Sequence, residues 1–94
     1  MFEKLDPLFL SQPRLMIMSI LYKQKEADFS TLRKSTKLTA GNLSIQINKL
    51  ALAEYIEVNK QFSGNYPLTI CKITNKGIFV MEDFFKSINT YLVH

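Results

Sequence analysis

Asn42, Ile45, Gln46, Asn48 and Lys49 share one face of a helical repeat, and no other group of side chains in the chain is as well suited to recognition chemistry. Three of them are amides, which both donate and accept hydrogen bonds; one is apolar and one is a cation. Base-pair edges present donors, acceptors and the thymine methyl, and phosphates take the cation, so this set matches a DNA groove. The residues that alternate with them, Ala40, Leu43, Ile47, Leu50 and Ala51, recur at 3.6-residue spacing and must pack on the rest of the protein. Two readings fit the stretch TAGNLSIQINKLAL at residues 39–52. It is either a recognition helix for the major groove or an ordinary amphipathic helix with a polar outer side. A solvated face usually carries alternating Glu and Lys, and here Lys49 is the only charge.

Other reactive residue types offer no catalytic site. His94 is the only histidine and the last residue, so a frayed end is expected rather than a ligand. Cys71 is the only cysteine, which excludes an internal disulfide. It lies in an alternating run where a small apolar filler is expected. The eight acids show neither a paired-carboxylate nor a metal-ligand spacing, so no enzyme activity, metal or cofactor is implied. The formal net charge of +4 favours a polyanionic partner. Within residues 30–76, Arg33, Lys34, Lys37, Lys49, Lys60, Lys72 and Lys76 face only Glu54 and Glu57, a net +5 that leaves the two flanks together at −1. The basic excess therefore surrounds the candidate helix.

The elements that must position these residues follow in order. Asp6 and Pro7 start a short helix through Leu8 and Phe9, with Asp as cap and Pro at the first position. Ser11 caps a strongly apolar helix containing Leu15, Met18, Leu21 and Tyr22, widened by Met16, Ile17 and Ile20. KQKEAD at residues 23–28 reads as a polar break. Phe29 follows as a brief extended contact, and Ser30 caps the next helix, with Leu32 as its core anchor. That helix ends at residues 36–38, and Thr39 caps the candidate helix, so the two form a helix-turn-helix. After Tyr55 the period falls to two. Ile56, Val58, Lys60 and Phe62 form one side of a strand, Ser63-Gly64-Asn65 makes a turn, and Leu68, Ile70 and Lys72 alternate with Thr69, Cys71 and Ile73 in a returning strand. Pro67 suits an edge position there. Thr74 or Asn75 then caps a long helix to about residue 92. The expected fold class is α+β, mainly α: a winged helix-turn-helix with a two-stranded β-hairpin wing and a long C-terminal helix, in one domain spanning residues 1–94.

This order of elements resembles the winged helix-turn-helix transcriptional regulators, close to the MarR- and ArsR-like families. The resemblance runs through DPLFLSQPRLMIMSIL, ADFSTLRKSTKLTAGNLSIQINKLALAEYIEV and FSGNYPLTICKITNKG, nearly the whole chain, with residues 38–50 as its most specific piece. It implies that the helix containing NLS enters the major groove, giving groove-facing roles to Thr39, Asn42, Ser44, Ile45, Gln46 and Lys49, with Asn48 beside them. Arg33, Lys34, Lys49 and Lys60 are then expected on phosphates. Wings of this kind often carry an Arg pair at the tip. Here the tip is Ser63-Gly64-Asn65-Tyr66, so Asn65 and Tyr66 either hydrogen-bond a phosphate or, for Tyr66, cover the hairpin's apolar side.

The expected function is a sequence-specific, double-stranded-DNA-binding transcriptional regulator, a repressor by resemblance, with no effector indicated. The alternative is a winged helix used for docking a protein partner, which the weakly charged wing favours. The last helix repeats apolar residues along two stripes, Ile78, Met81, Phe85, Ile88 and Leu92 in one and Val80, Phe84, Ile88 and Tyr91 in the other. A single small domain needs only one such stripe, so the second is surplus. A homodimer interface is therefore expected from terminal helices at about residues 5–11 and 76–92, formed by Phe2, Leu5, Phe9, Met81, Phe84, Phe85, Ile88, Tyr91 and Leu92. No apolar run reaches a membrane span and no signal peptide is visible, so a cytoplasmic protein is expected.

Overall fold

Side-chain caps set where each helix begins in the computed structural model, which describes residues 2–93. Asp6 accepts the Leu8 N–H at 3.0 Å and opens a 3₁₀ turn at Pro7–Phe9, shorter than the 5–11 helix expected. Ser11 opens α1 (Gln12–Gln24), Thr39 opens α3 (Ala40–Leu52) and Thr74 opens α4 (Asn75–Leu92), each accepting a backbone N–H three residues on. These starts agree with the sequence, because a cap is a local interaction that residue type alone announces. The cap of α2 (Phe29–Thr36) differs. Asp28, not Ser30, accepts the Thr31 N–H, at 2.7 Å, and Phe29 is the first helical residue rather than an extended one. The 23–28 break is not irregular either: α1 continues through Gln24, Lys25 turns with φ 74°, and β1 (Glu26–Asp28) follows.

β1 makes the sheet three-stranded. The hairpin β2 (Ile56–Ser63) and β3 (Tyr66–Ile73) has the expected wing form, with Gly64 at φ 63° in its turn. All pairing is antiparallel in the order β1-β3-β2. β3 is therefore the central strand, not an edge. Pro67 is tolerated because β1 pairs β3 only from Ile70 to Lys72, which leaves the side of β3 beyond that pairing open at Pro67.

α1 is the centre of the core: Ile17, Met18 and Leu21 are fully buried and meet Leu32 of α2, Leu43 and Leu50 of α3, and Cys71 of β3 in one cluster. Cys71 is the apolar filler expected. Burial pushes its thiol up to about 11, so it stays protonated and unreactive at neutral pH. From α4, the residues turned inward are Gly77, Met81, Phe84 and Ser87. This corrects both expected stripes. Met81 and Phe84 belong to this chain's own core, with Phe9, whose ring meets Phe84 edge-on at 5.2 Å. These three are thus buried within one chain and leave a smaller outer surface than the sequence suggested.

The α3–β2 corner is tied to the start of α4. Glu54 takes φ 65°, and the Tyr55 N–H donates to Leu50 O at 3.1 Å, ending α3 in a left-handed cap. Thr74 then donates its N–H to Tyr55 O at 3.1 Å and its hydroxyl to Glu54 O at 2.7 Å. Gly77 sits so close that a Cβ there would overlap the Tyr55 carbonyl and the Ile73 side chain. Tyr55 itself is buried and donates its hydroxyl to Asp6 Oδ2 at 2.6 Å. His94 lies outside the described residues.

Candidate nucleic-acid interface

The three residues 37–39 between α2 and α3 set the geometry of the helix pair. Lys37 takes the left-handed conformation at φ 61°, and buried Thr36 donates to Leu32 O at 2.7 Å while accepting the Leu38 N–H at 3.4 Å. The chain therefore reverses within a turn whose polar groups are satisfied. Leu43, Ile47 and Leu50 then bury one side of α3, and Ile45, Asn48 and Lys49 are exposed on the other, with Asn42 and Gln46 half-buried. Thr39 is exposed, but its hydroxyl is engaged as the cap, accepting the Asn42 N–H at 3.1 Å.

Ser44, Ile47 and Asn48 of α3, together with Val58 and Lys60 of β2 and Thr69 of β3, line a shallow depression between the helix and the wing. Helix and wing thus form one continuous surface on which Ser44, Asn48 and Lys60 stand together. Arg33 and Lys34 are exposed near the end of α2, where cations also complement the helix dipole. With Lys37 they line a second shallow depression. At the wing tip Asn65 and Tyr66 are exposed. Tyr66, 78% exposed, does not cover the hairpin, and Phe62 beside it is 75% exposed. An aromatic tip of this kind is not evident from alternation, which placed Phe62 on the same side as Ile56 and Val58.

One participant is invisible in the local sequence. Arg14, at the start of α1, donates Nε–H to Leu8 O at 2.8 Å and a guanidinium N–H to Gln46 Oε1 at 2.7 Å. Gln46 in turn donates from Nε2 to Asn42 Oδ1 at 2.8 Å. A cation counted with the acidic flank therefore stands beside the outer face of α3, and Gln46 is already bonded on both sides of its amide. Among the expected interface residues of the terminal segments, Phe2, Phe85, Tyr91 and Leu92 are exposed, and Leu5 and Ile88 are half-buried. Phe2 stacks on Tyr91 at 4.8 Å, and Tyr91 donates its hydroxyl to Glu3 O at 2.8 Å, so the N-terminal segment is clasped to α4. Among the described residues no cluster of His, Cys, Asp and Glu could hold a metal ion, and no helix is long and apolar enough to cross a membrane.

A family model described as a winged helix DNA-binding domain matches residues 14–92. The chain is 32% identical over 81 residues to an uncharacterized protein of Methanocaldococcus jannaschii, covering 86% of this chain and 88% of the relative. It is also similar to the solved structure of a transcriptional regulator homologue from Pyrococcus horikoshii OT3, at 28% identity and TM-score 0.86, over 93% of this chain and 86% of that one. In fold alone it matches AbfR of Staphylococcus epidermidis, at 18% identity and TM-score 0.75, covering 85% of this chain and 54% of AbfR. AbfR has also been solved bound to DNA.

Proposed function

Because the chain belongs to the winged helix DNA-binding domain family, we propose that it is a sequence-specific regulator of transcription that binds double-stranded DNA as a homodimer. In this reading α3 lies in the major groove. Asn42, Ser44, Ile45, Gln46 and Asn48 lie along base edges, and Thr39 sits where the helix meets the backbone. Arg33, Lys34, Lys49 and Lys60 take phosphates, and Asn65 and Tyr66 extend the wing's contact. The carrying observation is the continuous surface of α3 and wing, polar but almost uncharged along the helix and flanked by cations. Its Ile45, 54% exposed, suits a thymine methyl.

Dimerisation is supported by what remains of the apolar surface after the core is filled. Phe85, Tyr91 and Leu92 of α4, with Phe2, Leu5 and Ile88, form a patch that a second copy would cover. Two-fold pairing through α4 would set the two α3 helices about one DNA turn (~34 Å) apart. Repression is the proposed sign of regulation, following the MarR-like resemblance, and the cytoplasm is the proposed setting. Selection from a random pool of duplex DNA tests the reading: a near-palindromic site with half-sites about one turn apart should be enriched. A pool that stays random after repeated rounds contradicts sequence-specific binding. The second reading, docking of a protein partner, draws on the wing tip, where Phe62 and Tyr66 stand exposed and no cation is present.

A further inference from the structure

We propose that Arg14 is a positioning residue that fixes which atoms of the recognition helix face DNA, and that it makes Asn42 a hydrogen-bond donor toward a guanine edge. The inference rests on the DNA-binding reading above. A guanidinium only donates, so the atom of Gln46 that meets Arg14 at 2.7 Å must be the carbonyl oxygen. The Gln46 amide nitrogen then points along the helix and donates to Asn42 at 2.8 Å, so the atom of Asn42 that receives it must be Oδ1. The two ends of an amide diverge, and Asn42 Nδ2 is therefore turned away from Gln46. Among the described residues it donates to nothing.

A free asparagine in a major groove suits adenine, because its oxygen and nitrogen together match N6 and N7. Asn42 cannot present that pair while its oxygen is held by Gln46. What it presents is an NH₂ group, further polarised by a cation two bonds up the chain, and this suits an acceptor. Guanine displays two acceptors in the major groove, N7 and O6. Arg14 is itself held at a second point, by Leu8 O at 2.8 Å, and Leu8 is fixed through the Asp6 cap. The relay therefore starts from a guanidinium with little freedom to swing away.

The test is the full set of single-base substitutions of the selected DNA site, bound by the wild type, Arg14→Met and Arg14→Lys. Both variants weaken the tie to Leu8, but only Lys keeps a charged donor for Gln46. The wild type should prefer guanine over adenine at one position per half-site. In Arg14→Met that preference should fall about 10-fold, as Gln46 and Asn42 become free to turn, and in Arg14→Lys most of it should persist. Retention of the full preference in Arg14→Met overturns the inference and leaves the DNA-binding reading intact. Equal weakening on every sequence also overturns it, since the donor would then be meeting a phosphate. A wild type with no base preference removes the reading and the inference together.

Discussion

In Gly77→Ala, helix propensity and packing pull in opposite directions. By propensity alone, replacing a glycine in the first turn of α4 with alanine should stabilise the helix by up to about 1 kcal/mol. Here the added methyl has no room. It would overlap the backbone carbonyl of Tyr55, which cannot rotate aside, and the Ile73 side chain. The first turn of α4 must therefore back away from the α3–β2 corner. The Thr74 N–H bond to Tyr55 O at 3.1 Å and the Thr74 hydroxyl bond to Glu54 O at 2.7 Å are stretched in the process. Each is worth about 1 kcal/mol net, and overpacking of a tight core typically costs about 1–3 kcal/mol, so a net loss of about 1–3 kcal/mol is expected. Urea unfolding followed by circular dichroism measures it. Because α4 also carries the proposed dimer surface, DNA affinity should fall by more than the affinity of a mutant equally destabilised elsewhere. A Gly77→Ala protein as stable as the wild type, or more so, would refute the argument from close packing.

Three further outcomes follow from the same geometry. Burial, aided by the bond to Asp6, raises the Tyr55 hydroxyl to about 12 from an ordinary 10.0. Its contribution to stability is therefore complete below pH 10 and lost as pH rises from about 10 to about 12. Tyr55→Phe should cost about 1–3 kcal/mol at neutral pH and lose less stability than the wild type across that alkaline window, and thermal melts from pH 8 to 12 would show equal losses if the pair were unimportant. Phe85→Glu should convert a dimer to a monomer in sedimentation at micromolar concentration, since Phe85 is 45% exposed on α4 and a charge there opposes apolar pairing; a wild type that is already monomeric, or a variant that keeps the dimer mass, rules this interface out. Lys60→Gln should weaken binding to all sequences alike and flatten the salt dependence by about one unit, and an unchanged slope would remove Lys60 from the interface.

Local interactions were legible in the sequence, and those between distant segments were not. Asp6, Ser11, Thr39 and Thr74 announce helix starts because each bonds a backbone N–H two or three residues away. The hairpin is equally plain from Ser63-Gly64-Asn65 between alternating runs. β1 is not legible because Glu26-Ala27-Asp28 has one apolar residue and no preference for strand; it exists through pairing with β3 more than forty residues away, Ala27 lying opposite Cys71. Asp28 and Ser30 are both good caps, and only the path of β1 decides between them. Which of Phe84 and Phe85 turns inward depends on the ring of Phe9, which periodicity within α4 cannot report. On the recognition face, the residue types and their outward positions were readable, but the Arg14 link to Gln46 spans 32 positions. Counting charge by segment assigns Arg14 to the acidic flanks and cannot report its contact with Gln46.

The salt dependence of binding to random duplex DNA tests the central claim most directly, because it asks whether the α3 and wing surface meets phosphates at all. If Arg33, Lys34, Lys49 and Lys60 lie on the backbone, the logarithm of the binding constant should fall linearly with the logarithm of salt concentration, by about 0.9 for each phosphate neutralised. A slope of several units is therefore expected, and it should shrink as those cations are replaced one at a time. Undetectable binding at low salt, or binding with a slope near zero, would contradict a DNA-binding surface and favour the docking of a protein partner.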